Sequence, residues 1–150
     1  MATTVHISEF ASFVGKPLGT SEPMTVTQEQ VNLFADATGD HQWIHVDPER
    51  AKSGPFGGPI AHGYLTLSLL PVLMGSILHV DGVTMGVNYG CNKVRFSAPV
   101  PVGSTIQASA TVAEVTEVAG GLQVSLDVVV EVLGATKPSC VAQVVYRYYA

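Results

Sequence analysis

The fold turns on one stretch: Tyr64-Leu65-Thr66-Leu67-Ser68-Leu69-Leu70-Pro71-Val72-Leu73-Met74-Gly75-Ser76-Ile77-Leu78-His79-Val80. Ten Leu, Val, Ile and Met residues make it strongly apolar, while Thr66, Ser68, Pro71, Gly75, Ser76 and His79 interrupt it. At about 1.5 Å per residue, a helix of this length falls short of a bilayer core of about 30 Å. No membrane insertion is expected. A helix apolar on nearly all sides in a soluble chain is a buried one. The stretch therefore predicts one long buried helix, and other elements must wrap around it.

The C-terminal half supplies the wrapping. Leu122, Val124, Leu126, Val128, Val130 and Val132 recur with a period of two, and Gln123, Ser125, Asp127 and Glu131 alternate with them. That is the pattern of a strand with one buried face. Ile106, Ala108, Ala110 and Val112 repeat it before a turn at Gly120-Gly121. Cys140, Ala142, Val144, Tyr146 and Tyr148 repeat it after Gly134 and Pro138, and Val94, Phe96 and Ala98 mark an earlier strand. Glycine turns between successive strands imply an antiparallel meander. In the first half, Thr27 with Gln30 forms a capping box for a helix that Gly39 ends. A second short helix starts with Asp47 as N-cap and Pro48 at N1. The sum is an α+β layer arrangement, a curved antiparallel sheet of about five strands around one long buried helix, in a single domain over residues 1–150.

Composition narrows the functional classes. Of 150 residues, 47% are hydrophobic and only 13% charged, lean for the surface of a monomer, so self-association is expected. The net charge is −5, and the seven Lys and Arg are scattered, which argues against a nucleic-acid surface. Met1-Ala2-Thr3-Thr4 has no cationic region leading into an apolar run, so no signal peptide is expected and the chain is read as cytoplasmic. Cys91 and Cys140 are accordingly read as two reduced, buried thiols.

The chemistry concentrates in Asp40-His41-Gln42-Trp43-Ile44-His45, just past the first helix. A carboxylate and an imidazole on one connection can grip a single water and move protons to and from it. Pro59-Ile60-Ala61-His62-Gly63 then opens the apolar helix, presenting backbone N–H groups where an oxyanion could sit. Each site has a plainer reading. Asp40 alone is often a turn residue, His45 alone a core histidine, and His41 a solvent-facing neighbour. Asp40, His41, His45 and His62 are potential metal ligands, but Trp43-Ile44 and the nearby Pro48 argue against a helix that would align His41 with His45. No metal is expected. No serine lies in a G-x-S-x-G elbow, and no glycine-rich loop follows a strand, so neither a serine triad nor a nucleotide cofactor is indicated.

Phe34 through Ala51 resembles the signature of the MaoC-like (R)-specific enoyl-CoA hydratases: an aromatic, Ser/Thr-Gly-Asp, x-Asn-Pro, an aliphatic, His, and Ala six residues on. Thr38-Gly39-Asp40, Ile44-His45 and Ala51 match, as does Pro59-Ile60-Ala61-His62-Gly63. Asn88-Tyr89-Gly90 and the run Val94 to Gly103 are similar to the family's strand and turn. The likeness spans nearly the whole chain and is greatest to the single-domain, nodulation-protein-N-like branch. It implies the hot-dog fold, reversible syn hydration of a trans-2-enoyl-CoA to the (R)-3-hydroxyacyl-CoA, and a homodimer without cofactor. The alternatives are a hot-dog thioesterase and a non-catalytic acyl-CoA-binding or partner subunit. Asp40 and His45 would share the catalytic water, and the Gly63 N–H would face the thioester oxygen. Gln42-Trp43 departs from the family's Asn-Pro, which bears on pocket size. Trp43 and Tyr89 are read as lining the acyl site, with packing the competing role for Trp43. His62 is read as ordering or capping the helix entry beside the substrate. Lys93 and Arg95, two apart on one strand, share a face and are candidates for the CoA phosphates; Arg50 and Lys52 are their competitors.

Overall fold

Residues 2–150 are described by the structure, a computed structural model. Strand β1 (Thr3–His6) leads into a 3-10 helix over Ile7–Phe13, followed by β2 (Pro17–Thr20) and β3 (Met24–Thr25). Helices α1 (Gln28–Thr38), α2 (Trp43–Val46), α3 (Pro48–Lys52), α4 (Gly63–Ser68) and α5 (Leu70–Gly75) come next. The rest is strand: β4 (Leu78–Asp81), β5 (Met85–Arg95), β6 (Thr105–Val118), β7 (Gly121–Val132) and β8 (Cys140–Tyr149).

Strands β2, β6, β7, β8 and β5 lie in that order in one antiparallel sheet, with β3 also paired to β6. The period-two pattern reads through directly. Ile106, Ala108, Ala110 and Val112 on β6, Val124, Leu126, Val128 and Val130 on β7, and Cys140, Ala142 and Val144 on β8 are all buried. Register sets like against like, with Ala110 opposite Val128 and Val128 opposite Ala142. Such cross-strand pairs on one face are what stabilise a sheet. The meander holds for β6–β7–β8. Strand β5, however, precedes them in the chain yet pairs only with β8, so it forms the far edge. It also ends at Arg95, and Phe96 and Ala98 lie beyond it rather than in a strand.

The single long helix is a correction. Two short helices stand in its place, α4 and α5, broken at Leu69, and Leu78–Val80 is strand. Pro71 is the cause, because it has no N–H to give to the Leu67 carbonyl. The chain restarts instead, with Pro71 in the first turn of α5. Leu65, Leu70, Leu73, Met74 and Ile77 do pack into the sheet's concave face, but Tyr64 and Val72 remain 71% and 61% exposed. Leu78–Asp81 pairs in parallel with β1 from the other end of the chain, a contact local periodicity could not announce. Phe10, wholly buried, closes the core beside Tyr148, ring centroids 5.8 Å apart.

Caps place the functional loops. The Thr27 Oγ1 accepts the Gln30 N–H at 3.1 Å, and Gly39 ends α1 at φ 86°, its N–H donating to the Ala35 carbonyl. The return half of the expected capping box is missing, since the buried Gln30 Oε1 has no partner. A second correction is α2, where the sequence reading has no helix. The pre-proline restriction falls only on Asp47, whose φ of −119° and ψ of 86° are non-helical, and that leaves room for one turn before it. Asp47 Oδ1 then accepts the Arg50 N–H at 3.1 Å and starts α3 as expected. Of the two thiols, both free, only Cys140 is buried; Cys91 is exposed because β5 has a neighbour on one side alone.

Leu126 is fully buried at the centre of the sheet, between Val112 and Val144. Leu126→Ala is expected to lose about 2–5 kcal/mol in urea unfolding. Truncating Glu131 on the same strand is expected to stay within about 1 kcal/mol, because its side chain is exposed.

Candidate active site

Asp40 follows the left-handed Gly39 that ends α1, and its Oδ1 accepts the Gln42 N–H at 3.3 Å. The turn therefore holds the carboxylate in place while leaving it exposed. His45 sits on α2 at 6% exposure. Its Nδ1 lies 2.6 Å from the Ile60 carbonyl, which can only accept, so Nδ1 carries the proton and Nε2 the lone pair. The same joint is closed a second time by the Ile60 N–H donating to the Ile44 carbonyl at 2.9 Å. From the other side, the Gln28 side chain donates to the His45 carbonyl at 2.8 Å.

His62 is the residue before α4 and is 2% exposed. Its side chain does not cap the helix. Its Nε2–H instead donates to the Asp40 carbonyl at 2.9 Å, which orders the entry loop. The ring stacks on His45 with centroids 3.9 Å apart and planes at 25°, and Phe34 covers it at 4.8 Å. One ligand atom from each of Asp40, His45 and His62 falls within 4.8 Å of the others. The two imidazole planes are too nearly parallel for both in-plane lone pairs to converge on one cation unless a ring turns, so the donor set does not fit a metal as it stands.

Burial lowers the pKa of His45 below 6.5; the Ile60 bond works against this, nearby His62 adds to it and Asp40 opposes it. His45 is thus neutral near pH 7, a proton acceptor at Nε2. His41, in contrast, is exposed and bound to Asp36 at 3.0 Å, which raises its pKa. It faces solvent as expected.

Gly63 is the first residue of α4, and its N–H donates to no group among the described residues. A side chain there would meet the Phe96 ring at 2.7 Å, so the glycine is what lets Phe96 lie against the helix start. A pocket of about 310 Å³ opens on this side, lined by Phe56, Ala61, Gly63, Thr66, Phe96 and Ser139. Asp40 and His45 are not in its lining; Gly63 adjoins both, through its neighbour His62 on one side and Phe96 on the other. The Gly63 donor is the first N–H of a six-residue helix, so the bond itself matters more than a macrodipole.

The other sequence candidates are engaged elsewhere. Trp43 is half-buried, with the Arg50 guanidinium 4.4 Å from its ring centre and Gly54 directly against it, which is the packing role. The Tyr89 ring lies 3.6 Å from the Arg147 guanidinium on β8. Lys93 and Arg95 are both exposed; Lys93 sits near Asp127 and Gln143 on the sheet, and Arg95 donates to the Val94 carbonyl at 2.8 Å. Of their competitors, Lys52 pairs with Glu49 at 3.5 Å. Sequence reasoning missed Phe96 and the Ile60 carbonyl as parts of the site. Neither carries a local signal, since one is a strand-end aromatic and the other a main-chain oxygen.

Comparison with known proteins shows the family. The MaoC like domain matches residues 9–132. A 3-hydroxyacyl-thioester dehydratase Z of Mycobacterium tuberculosis is 52% identical over 151 residues, covering 100% of both chains. A nodulation protein N of Rhizobium meliloti is 43% identical over 146 residues, covering 92% of this chain and 88% of that one. Among solved structures, an (R)-hydratase from A. caviae involved in PHA biosynthesis superposes with a TM-score of 0.73 at 26% identity, over 89% of this chain and 94% of that one. With a hot-dog sheet packed against its helices and these matches over most of its length, this chain belongs to the MaoC-like dehydratase family.

Proposed function

We propose that the protein interconverts trans-2-enoyl-CoA and (R)-3-hydroxyacyl-CoA thioesters by syn addition or loss of water. The observation that carries this reading is the neutral His45, its Nδ1 bound to the Ile60 carbonyl and one ring nitrogen within 4.8 Å of an Asp40 carboxylate oxygen. With hydrogen bonds of about 2.8 Å on either side, one water spans two such atoms. In hydration, the water oxygen bonds to C3 as one of its protons passes to the bare His45 Nε2, while Asp40 accepts a hydrogen bond from the other O–H. The proton taken up by His45 is then delivered to C2, so that the pair ends as it began. Charge gathers on the thioester oxygen as the C–C double bond is consumed, and the Gly63 N–H is the donor suited to it. Dehydration is the same path reversed.

Purified protein should remove the enoyl absorbance of a trans-2-enoyl-CoA without releasing free thiol. Thiol release would point to a thioesterase, and binding without turnover to a partner subunit. Asp40→Asn and His45→Gln should each lower kcat about 10²–10⁴-fold. The acid limb of kcat/KM should fall below pH 6.5, since His45 must lose its proton to act and its pKa is lowered. A limb above that value would contradict the assignment.

The acting form is a homodimer. Strand β5 leaves one edge unpaired, and Met85, Val87 and Tyr89 on it are 53%, 39% and 57% exposed. Beside Gly63, Tyr64 and Phe96 meet edge to face at 6.0 Å while staying largely open to solvent. A second copy paired along β5 would cover this edge and its apolar side chains. Light scattering should give twice the chain mass at micromolar concentration, and Val87→Glu should shift it toward the monomer.

Lys93 and Arg95 serve the remote phosphates of CoA. Neither has a carboxylate within ion-pair distance among the described residues. Arg95 also directly precedes Phe96, the residue against Gly63. Contacts to a remote group barely change in the transition state. Lys93→Ala with Arg95→Ala should therefore raise KM for the CoA ester and leave KM for a short pantetheine thioester nearly unchanged.

A further inference from the structure

We infer that His62 is a positioning residue for the acid–base pair, holding the Asp40 turn through its Nε2–H and the His45 ring through stacking. This rests on the hydratase reading for its kinetic consequences, but not for its structural ones. The geometry is specific. The Nε2 bond goes to the main-chain carbonyl of Asp40 itself, 22 residues earlier, at 2.9 Å. The ring face lies on His45 at 3.9 Å, with Phe34 also against it at 4.8 Å. One buried imidazole therefore touches both members of the pair and stands directly before Gly63.

The ring offers more than a hydrogen-bond donor. Because a carbonyl only accepts, Nε2 carries the proton and Nδ1 has a lone pair. That Nδ1 is buried and has no partner. A tether needs only the donor, yet the ring keeps this second nitrogen buried beside it without a partner. The imidazole adds a flat face against His45. Placed there, it also bears on when His45 takes up a proton. The ionisable groups acting on His45 are Asp40, which favours the protonated form, and His62, which disfavours it; burial disfavours it further.

Two substitutions separate the contacts. His62→Phe keeps the stack and loses the donor, so the Asp40 turn loosens; kcat should fall about 10–100-fold with KM little changed. His62→Gln keeps a donor and loses the stack. It should retain more activity than His62→Phe, and its acid limb in kcat/KM should move to higher pH, because both burial and the neighbouring imidazole then lower the His45 pKa less. A purely structural role would instead lower Tm in both variants and leave kcat and the pH profile unchanged below it. That result overturns the inference. Nitrogen NMR of the unsubstituted protein tests the same assignment without activity or refolding. Near pH 7 His45 is expected to carry its proton at Nδ1 with Nε2 bare, and His62 to carry one at Nε2. A His62 without a proton at Nε2 would also overturn it.

Discussion

The site depends on how one extended strap, Pro59 to His62, is pinned from both sides. On one side the Ile60 N–H and carbonyl are bonded to Ile44 and His45. On the other, the Ala61 N–H reaches the Val100 carbonyl at 2.8 Å and the Val102 N–H reaches the Pro59 carbonyl at 2.9 Å. The strap thus sets the distance between α2, which carries His45, and α4, which begins at Gly63. A buried carbonyl that lost its partner would cost about 1–3 kcal/mol. The constraint is therefore expensive to break at any one point, and the geometry of the site inherits that stiffness.

The strap also explains the electrostatics. Bonding Nδ1 to a main-chain oxygen selects the His45 tautomer, and burial beneath the strap holds the ring neutral. Asp40 occupies the opposite regime. It stands on a turn at the surface, kept in place by short bonds to its own loop and by His62 to its carbonyl. One member of the pair is tuned by desolvation and the other remains in contact with solvent. Pairing groups in unlike environments is a common way to divide acid and base roles.

Around this centre the sheet is closed on one side only. It is well covered in the middle of β6, β7 and β8, where Ala110, Leu126, Val128 and Ala142 are buried, and stays open along β5. Exposed aromatic side chains lie at the open side, next to the helix start that carries Gly63. Trp43 turns away from this region to pack under Arg50 and against Gly54, so the departure at Gln42-Trp43 is accommodated by α3.

What the sequence determined by itself was local and periodic. The alternation in β6, β7 and β8, the Thr27 and Asp47 caps, the Gly39 stop and the pairing of Asp40 with His45 were all legible, because each is set by residues within a few positions of one another. The tertiary structure decided the rest. Pro71 divided the central helix, and only the contact with Thr3–His6 turned Leu78–Asp81 into strand. Phe96 and the Ile60 carbonyl entered the site, while Tyr89 went to Arg147. These are contacts between residues far apart in the chain, or made by main-chain atoms that every residue shares, so no side-chain pattern encodes them locally. The stacking of His62 on His45 belongs with them, for its two rings are brought together by the strap and not by their spacing.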